Sequence, residues 1–204
     1  MGMTSLDSLT LDVADRSAAT AFYDTAFGLG DRLRFREQQP ASSGFRGFTI
    51  SLVVSQPANV SALFDAAVAI GGTPIKPVNR SIWGVGAVVQ APDGAIWKIA
   101  TSAKKDAAPA SRDVDSMVLL VAASDVGATK AFYADRGFEV GKSFGKYVEF
   151  ATPGSPIGFG LYGQKALAKD AGVAPEGTGS HRLSIAGSAG AFVDPDGFEW
   201  TAAS

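Results

Sequence analysis

Cysteine is absent from this 204-residue chain, which excludes disulfides, thiolate metal sites and cysteine nucleophiles. Histidine is nearly absent: His181 stands alone, so a Ser-His-Asp triad could use only this imidazole, and no nucleophile-elbow sequence accompanies it. No apolar run approaches the roughly 20 residues of a membrane-spanning helix, so no membrane partner is expected. Charge of one sign is not in excess either. The net charge is −2 without a long basic run, which leaves a nucleic-acid partner no electrostatic footprint. Met1 to Asp15 lacks a basic stretch followed by an apolar core, so no secretory signal is expected and the default location is cytoplasmic.

What the chain does contain is repetition. Ala91-Pro92-Asp93-Gly94-Ala95-Ile96-Trp97 returns as Asp194-Pro195-Asp196-Gly197-Phe198-Glu199-Trp200. Asp15 followed by Ala21-Phe22-Tyr23 returns, at the same internal spacing, as Asp125 followed by Ala131-Phe132-Tyr133. The turn pair lies closer together than the helix pair, so the two halves are related but have gained or lost segments.

The local patterns fit this division. Leu9, Leu11 and Val13 alternate with Ser8, Thr10 and Asp12 as in a half-buried strand, and Asp15 can cap the helix whose apolar stripe is Ala19, Phe22, Tyr23 and Ala26. Phe48, Ile50 and Leu52 mark another strand, and Val60, Leu63, Phe64 and Ala67 another helix, stopped by Gly71-Gly72. The second half restarts with a strand at Met117 to Ala123 and an Asp125-capped helix; a short helix over Gln164 to Ala171 precedes strands near Arg182 to Ala186 and Phe198 to Ala202.

The order strand, helix, then two or three strands, with the Asp-Pro-Asp-Gly-x-x-Trp ending and the Ala-Phe-Tyr helix, resembles the βαβββ module of the vicinal oxygen chelate superfamily. That superfamily includes glyoxalase I, bleomycin-resistance proteins and extradiol dioxygenases. Gly44-Phe45-Arg46-Gly47 and Ser81-Ile82-Trp83-Gly84 are similar to segments of actinobacterial glyoxalase-like proteins. The resemblance implies an α+β fold in which repeated βαβββ modules form concave mixed sheets around a cavity. Residues 1–102 then read as a first glyoxalase-like half, a truncated unit without its last two strands plus a complete module. Residues 103–115 read as a linker, and residues 116–204 as a second half, a complete module plus a helix-less terminal fragment. The terminal fragments can complement each other within one chain; failing that, a swapped dimer supplies the missing strands. Both monomer and homodimer stay open.

The resemblance also implies where a divalent metal would bind. The corresponding positions are Ser8, Lys98, Val118 and Thr201, with Thr49 and Phe159 from a less secure alignment, and none is a histidine or carboxylate. No metal and no cofactor are therefore expected, and His181, which aligns with Arg46, reads as a structural histidine. Gly141-Lys142-Ser143 is no phosphate loop, because a strand rather than a helix follows it.

Strand alternation places Ser8, Thr10, Asp12, Thr49, Ser51, Ile96 and Lys98 inside the cavity, and in the third unit Val118, Leu120, Phe159 and Leu161. Thr49, Trp83, Lys98, Tyr147, Glu149 and Phe159 are the candidate ligand-binding residues, and Trp83 either stacks on a ligand or covers the mouth. Glu149 is the candidate general base, with Lys98 a second acid–base group. The leading expectation is a metal-free protein, similar to bleomycin-resistance proteins, that sequesters a small organic molecule. The alternatives are a lyase, isomerase or dioxygenase, with unusual metal ligands or metal-free acid–base chemistry, and a degenerate module whose cavity has filled with side chains.

Overall fold

Strand β1 (Leu6–Val13) carries the first alternation, and the computed structural model describes residues 4–203. Asp15 caps helix α1 (Arg16–Ala26) by accepting from the Ala18 amide at 2.9 Å. Strands β2 (Leu33–Glu37) and β3 (Ser42–Gly44) follow. The second unit is β4 (Phe48–Val53), α2 (Pro57–Ala69), β5 (Thr73–Ser81), β6 (Gly84–Gln90) and β7 (Ile96–Thr101). The third is β8 (Ser116–Ala123), α3 (Val126–Ala134), β9 (Glu139–Phe144), β10 (Tyr147–Ala151) and β11 (Ile157–Gly163). Helix α4 (Gln164–Ala171) and β12 (Gly177–Gly179) then lead to β13 (Leu183–Gly187), β14 (Phe192–Val193) and β15 (Glu199–Ala202).

Each unit's first strand has its last strand as a parallel neighbour: β4 with β7, β8 with β11, and β13 with β15. β2 stands in the same relation to β1, Leu9 opposite Leu33 and Leu11 opposite Phe35. The truncated first unit has therefore kept its last strand and lacks the middle pair, which corrects the sequence reading. First strands pair antiparallel between units, β4 with β8 and β1 with β13. The result is a middle group of strands, β5-β6-β7-β4-β8-β11-β10-β9, and a terminal group, β2-β1-β13-β15-β14, joined where Leu6 meets Ile157. The two ends of the chain thus complete one sheet without a second copy.

Helices α1 to α3 cover the outer face of these strands, where Leu9, Ile50, Trp97, Leu119, Phe159 and Trp200 join the main core. The opposite, inner face is where a cavity was expected. Residues 103–115 form neither helix nor strand. They are nevertheless fastened: the Gln56 side chain accepts from the Ala107 and Ala108 amides and donates to the Ala108 and Pro109 carbonyls.

The repeated Tyr and Trp have one chemical purpose. Trp97 Nε1 donates to the Tyr23 hydroxyl (3.2 Å), which donates to Asp93 (2.7 Å). Trp200 Nε1 donates to the Tyr133 hydroxyl (3.0 Å), which donates to Asp194 (2.7 Å). A helix of one unit is thereby tied to the last strand of the next. The carboxylate comes from different turn positions, because the first copy has Ala91 where the second has Asp194. Asp196, freed from this task, accepts from Ser124 and Thr129 at the start of α3. Burial, then the adjacent Asp194, pushes the Tyr133 hydroxyl well above its usual range; burial and Asp93 do the same to Tyr23. Burial also raises Asp194, despite the hydrogen bonds it accepts.

Candidate functional site

The inner face of the middle sheet is set by register. Ser51 lies opposite both Lys98 and Val118, and Val118 opposite Gly158, so these four residues form one row. Thr49 and Leu120 form the next. Phe159 is opposite Leu119 and Leu161 opposite Val121, which puts both on the outer face. Phe159 is fully buried against Tyr133, Phe150 and Trp200, so the sequence assignment of Phe159 and Leu161 to the cavity wall is corrected.

Helix α4 lies across this inner face. Leu167, Ala168 and Ala171 pack with Phe45, Val88, Ile96, Leu120 and Ala122 in a second apolar cluster. Lys98 Nζ donates to both carboxylate oxygens of Asp170, at 2.7 and 3.0 Å. Lys76 Nζ holds the carbonyls of Lys169 (3.0 Å) and Asp170 (2.6 Å). Beneath, Thr49 is 2% exposed, and its Oγ1 is the only buried side-chain polar atom without a hydrogen-bond partner among the described residues.

The remaining candidates lie on the hairpins of the same sheet. The Tyr147 hydroxyl donates to Glu149 (3.3 Å), whose other oxygen accepts from Lys142 (3.3 Å). Burial first, then Glu149, pushes Tyr147 up to about 12. Trp83, 82% exposed, projects from the β5–β6 turn. Thr49, Lys98 and Tyr147 therefore share the face with α4, whereas Trp83 and Phe159 do not line it.

The inner face of the terminal sheet is polar. Thr10, Asp12, Arg34, Arg36, Ser184 and Glu199 share it by register. Asp12, 3% exposed, accepts from Arg36 Nε (2.7 Å), Arg36 Nη2 (3.3 Å) and Gln38 Nε2 (2.9 Å). Arg36, 43% exposed, also lies 3.8 Å from Glu199. The Asp12 hydrogen bond is the main cause holding the Arg36 guanidinium in its charged form. Asp12, Arg36, Gln38 and Glu199 line, with Pro40, Ser180 and His181, a cleft of about 350 Å³. A neighbouring hollow of about 240 Å³, lined by Arg46, Gln164 and Thr178, shares His181 and Asp196 with it.

A narrow ribbon walls this cleft: β3 pairs antiparallel with β12, Gly44 opposite Gly177. A Cβ on Gly177 would sit 1.9 Å from the Phe45 carbonyl oxygen, so only glycine allows this approach. The His181 ring nitrogens meet the carbonyls of Arg46 (2.6 Å) and Asp196 (2.9 Å), and the ring stacks on Phe198. Arg182 is the only non-glycine in the left-handed region among the described residues, φ 52. It is held there by its Nε bond to the Pro40 carbonyl and its amide bond to Ser180 Oγ. Such backbone costs about 1–3 kcal/mol and clusters at sites where surrounding contacts over-determine it.

A third cleft of about 460 Å³ lies on the outer side, between α1, Ile70 and the Pro92-Asp93 turn. Its carboxylates are committed, Asp15 to the Ala18 amide and Asp93 to Tyr23 and the Ala95 amide. It offers a ligand apolar contact with few free groups to orient it.

Sequence reasoning placed Asp12 inside but missed Arg36, Gln38 and Glu199. The signal was present in β2, where Arg34 and Arg36 alternate with Leu33 and Phe35. The positions that the resemblance implied for a metal do not suit one. Lys98 is a cation ion-paired to Asp170, Val118 is apolar, and Ser8 and Thr201 are hydroxyls. Among the described residues no group of three or more His, Asp or Glu side chains is placed to hold an ion.

Units of this kind, paired through antiparallel first strands, define the glyoxalase fold, that of the vicinal oxygen chelate superfamily. Glyoxalase I from Zea mays has it at a TM-score of 0.62 and 14% identity, over 98% of this chain and 92% of that one. Its V278E mutant gives 0.63 at 14% identity over the same shares. A candidate dioxygenase from Bacillus subtilis gives 0.57 at 12% identity, over 91% of this chain and 70% of its own. At these identities the likeness shows the fold. No family model and no curated protein matches the sequence.

Proposed function

We propose that the protein binds a small polar organic molecule, without a metal ion, in the cleft between the terminal sheet and the β3–β12 ribbon. The observation that carries this is the contrast in occupancy. The terminal inner face opens into a cleft of about 350 Å³ with an accessible guanidinium, whereas α4 covers the middle one. Ligand sites are concave, with a few convergent polar groups fixing orientation. Here Arg36 supplies a guanidinium whose Nε and Nη2 already donate to Asp12, Gln38 a carboxamide, and Glu199 an acceptor beside Arg36. The set suits a hydroxylated molecule with one carboxylate, held by Arg36 and bound through its hydroxyls to Glu199. Sequestration needs no further group, which fits the lack of metal-ligand side chains at the implied positions.

The test is thermal unfolding of tag-free protein with gluconate, glucuronate, tartrate and citrate, each with and without EDTA. A ligand at about 100 times its Kd stabilises by about 2.7 kcal/mol, a rise of roughly 5–10 °C for a chain of this size. At least one acid should produce this rise, unchanged by EDTA and lost in Arg36→Gln. No rise with any acid, or one that EDTA abolishes, overturns the reading.

A further inference from the structure

The two copies of the helix-and-turn motif differ at one seam. In the second copy the turn is stitched to the start of the helix. Asp196 accepts from the Ser124 amide (2.8 Å), the Ser124 hydroxyl (2.7 Å) and the Thr129 hydroxyl (2.7 Å). At the same spacing from its capping aspartate, the first copy has Ala14 and Ala19, which carry no hydroxyl. Asp93, the counterpart of Asp196, is taken by Tyr23, because Ala91 stands where Asp194 serves Tyr133. The seam therefore stays open, as the outer cleft of about 460 Å³ between α1 and the Pro92-Asp93 turn.

We propose that this outer cleft is a second binding site, independent of the terminal one, for a small organic ammonium ion with an apolar body.

The apolar part of the ligand follows from the walls. The volume lies in the range of small-molecule sites. Ala18, Phe22, Ile70 and Pro92 line it, and Ile70, 40% exposed, is left uncovered by the chain. Covering these groups removes apolar surface from water, which favours binding.

The charge follows from the two carboxylates on the lining, Asp15 and Asp93. The bonds that each accepts hold it in place: Asp15 from the Ala18 amide, Asp93 from Tyr23 and the Ala95 amide. An ionised carboxylate has about four acceptor positions, so both keep capacity for a further donor. Neither is in an ion pair among the described residues, and Arg46 holds the Asp93 carbonyl rather than its carboxylate. The two full charges outweigh the roughly half positive charge at the α1 N-terminus. Towards the C-terminus of α1, Arg112 holds the Thr25 carbonyl (2.6 Å). A cation is thus drawn to the Asp15–Asp93 end, with its apolar body against Phe22 and Ile70.

The experiment is calorimetric titration of the full chain with 2-phenylethylammonium and its uncharged analogue, 2-phenylethanol. The ammonium should bind with a Kd below about 1 mM, and the alcohol about tenfold more weakly. Asp15→Asn keeps the helix cap, since asparagine caps as well as aspartate, but removes one charge. It should weaken the ammonium about threefold and leave the alcohol unchanged. Ala18→Leu, at an exposed helix position that accepts leucine, fills the cleft and should abolish binding of both. Ala14→Ser, Ala19→Thr and Ala91→Asp together rebuild the seam of the second copy and should do the same. Ala19 and Ala91 are buried, so Ala18→Leu decides the matter where the triple variant does not fold. Arg36→Gln should leave every value unchanged. Equal affinity for the two probes, ammonium binding untouched by Asp15→Asn, binding that survives Ala18→Leu, or no binding of either probe each overturns the site. Loss of ammonium binding in Arg36→Gln also overturns it, because the probe would then sit in the terminal cleft.

Discussion

On the middle sheet Lys98 finds its carboxylate on a helix lying above it, Asp170; on the terminal sheet Arg36 finds Asp12 beside it in the sheet itself. The difference decides what happens to the space over each face. A cation neutralised from above brings chain with it, and α4 follows with Leu167, Ala168 and Ala171. A cation neutralised from the neighbouring strand brings no cover with it and stays in the wall of an open cleft. The same strand arrangement thus yields one covered face and one open face, and the residue across a single ladder rung separates the two outcomes.

The contrast breaks most visibly at the cover. Leu167→Ala removes the one large apolar anchor of α4 and should destabilise by about 2–5 kcal/mol in urea unfolding, the range for a buried leucine truncated to alanine. Thr201→Ala, on the terminal inner face, should stay within about 0.5 kcal/mol. Equal losses at the two positions would mean that the terminal face is as tightly packed as the middle one.

A smaller effect separates the two ion pairs. Asp12 is buried and accepts three hydrogen bonds from Arg36 and Gln38, and charge-assisted bonds of this kind contribute about 1.5–3 kcal/mol. Asp12→Asn should cost an amount in that range. Asp170→Asn breaks a pair whose side chains are each about a third exposed, where solvent screens the attraction, and should cost less than about 1 kcal/mol. Equilibrium unfolding of both variants at neutral pH checks the ranking, and a larger loss at Asp170 would reverse the account of which face is internally braced.

The sequence carried much of this architecture. Tyr23, Trp97, Tyr133 and Trp200 stood out because a buried hydrogen-bonded relay demands particular atoms, and demanded them twice. The bounds of α4 were readable from its apolar side and the glycines flanking it. What lay under it was not, since a stripe of Leu167, Ala168 and Ala171 says that the helix packs and not against which strands. Phe159 was assigned to the wrong face for a local reason. In β11 the inner positions are Gly158 and Gly160, which have no side chain to mark them, and a Cβ at Gly160 would meet the Val148 carbonyl oxygen at 2.7 Å. The terminal cleft was half legible: Asp12 followed from alternation, but its partners Arg36 and Gln38 arrive through a parallel pairing of β1 with β2 that no local pattern announces.

The smallest effect is a difference in pH response. Tyr147, on the hairpin flanking the covered face, has its hydroxyl pushed up to about 12 by burial and by Glu149. In the unfolded chain a tyrosine titrates near pH 10. Between these values the folded protein holds a proton that the unfolded one releases, so unfolding becomes progressively more favourable as pH rises. The stabilisation is therefore complete below about pH 10 and declines towards 12. Tyr23 and Tyr133, both in the outer core, add to the decline and mask it in the parent protein. The contribution of Tyr147 appears as a difference: the urea midpoint of Tyr147→Phe should fall less steeply between pH 10 and 12 than that of the parent. Parallel curves would show that the Tyr147–Glu149 contact does not persist in solution, and that the hairpin beside the covered face is as open as the terminal cleft.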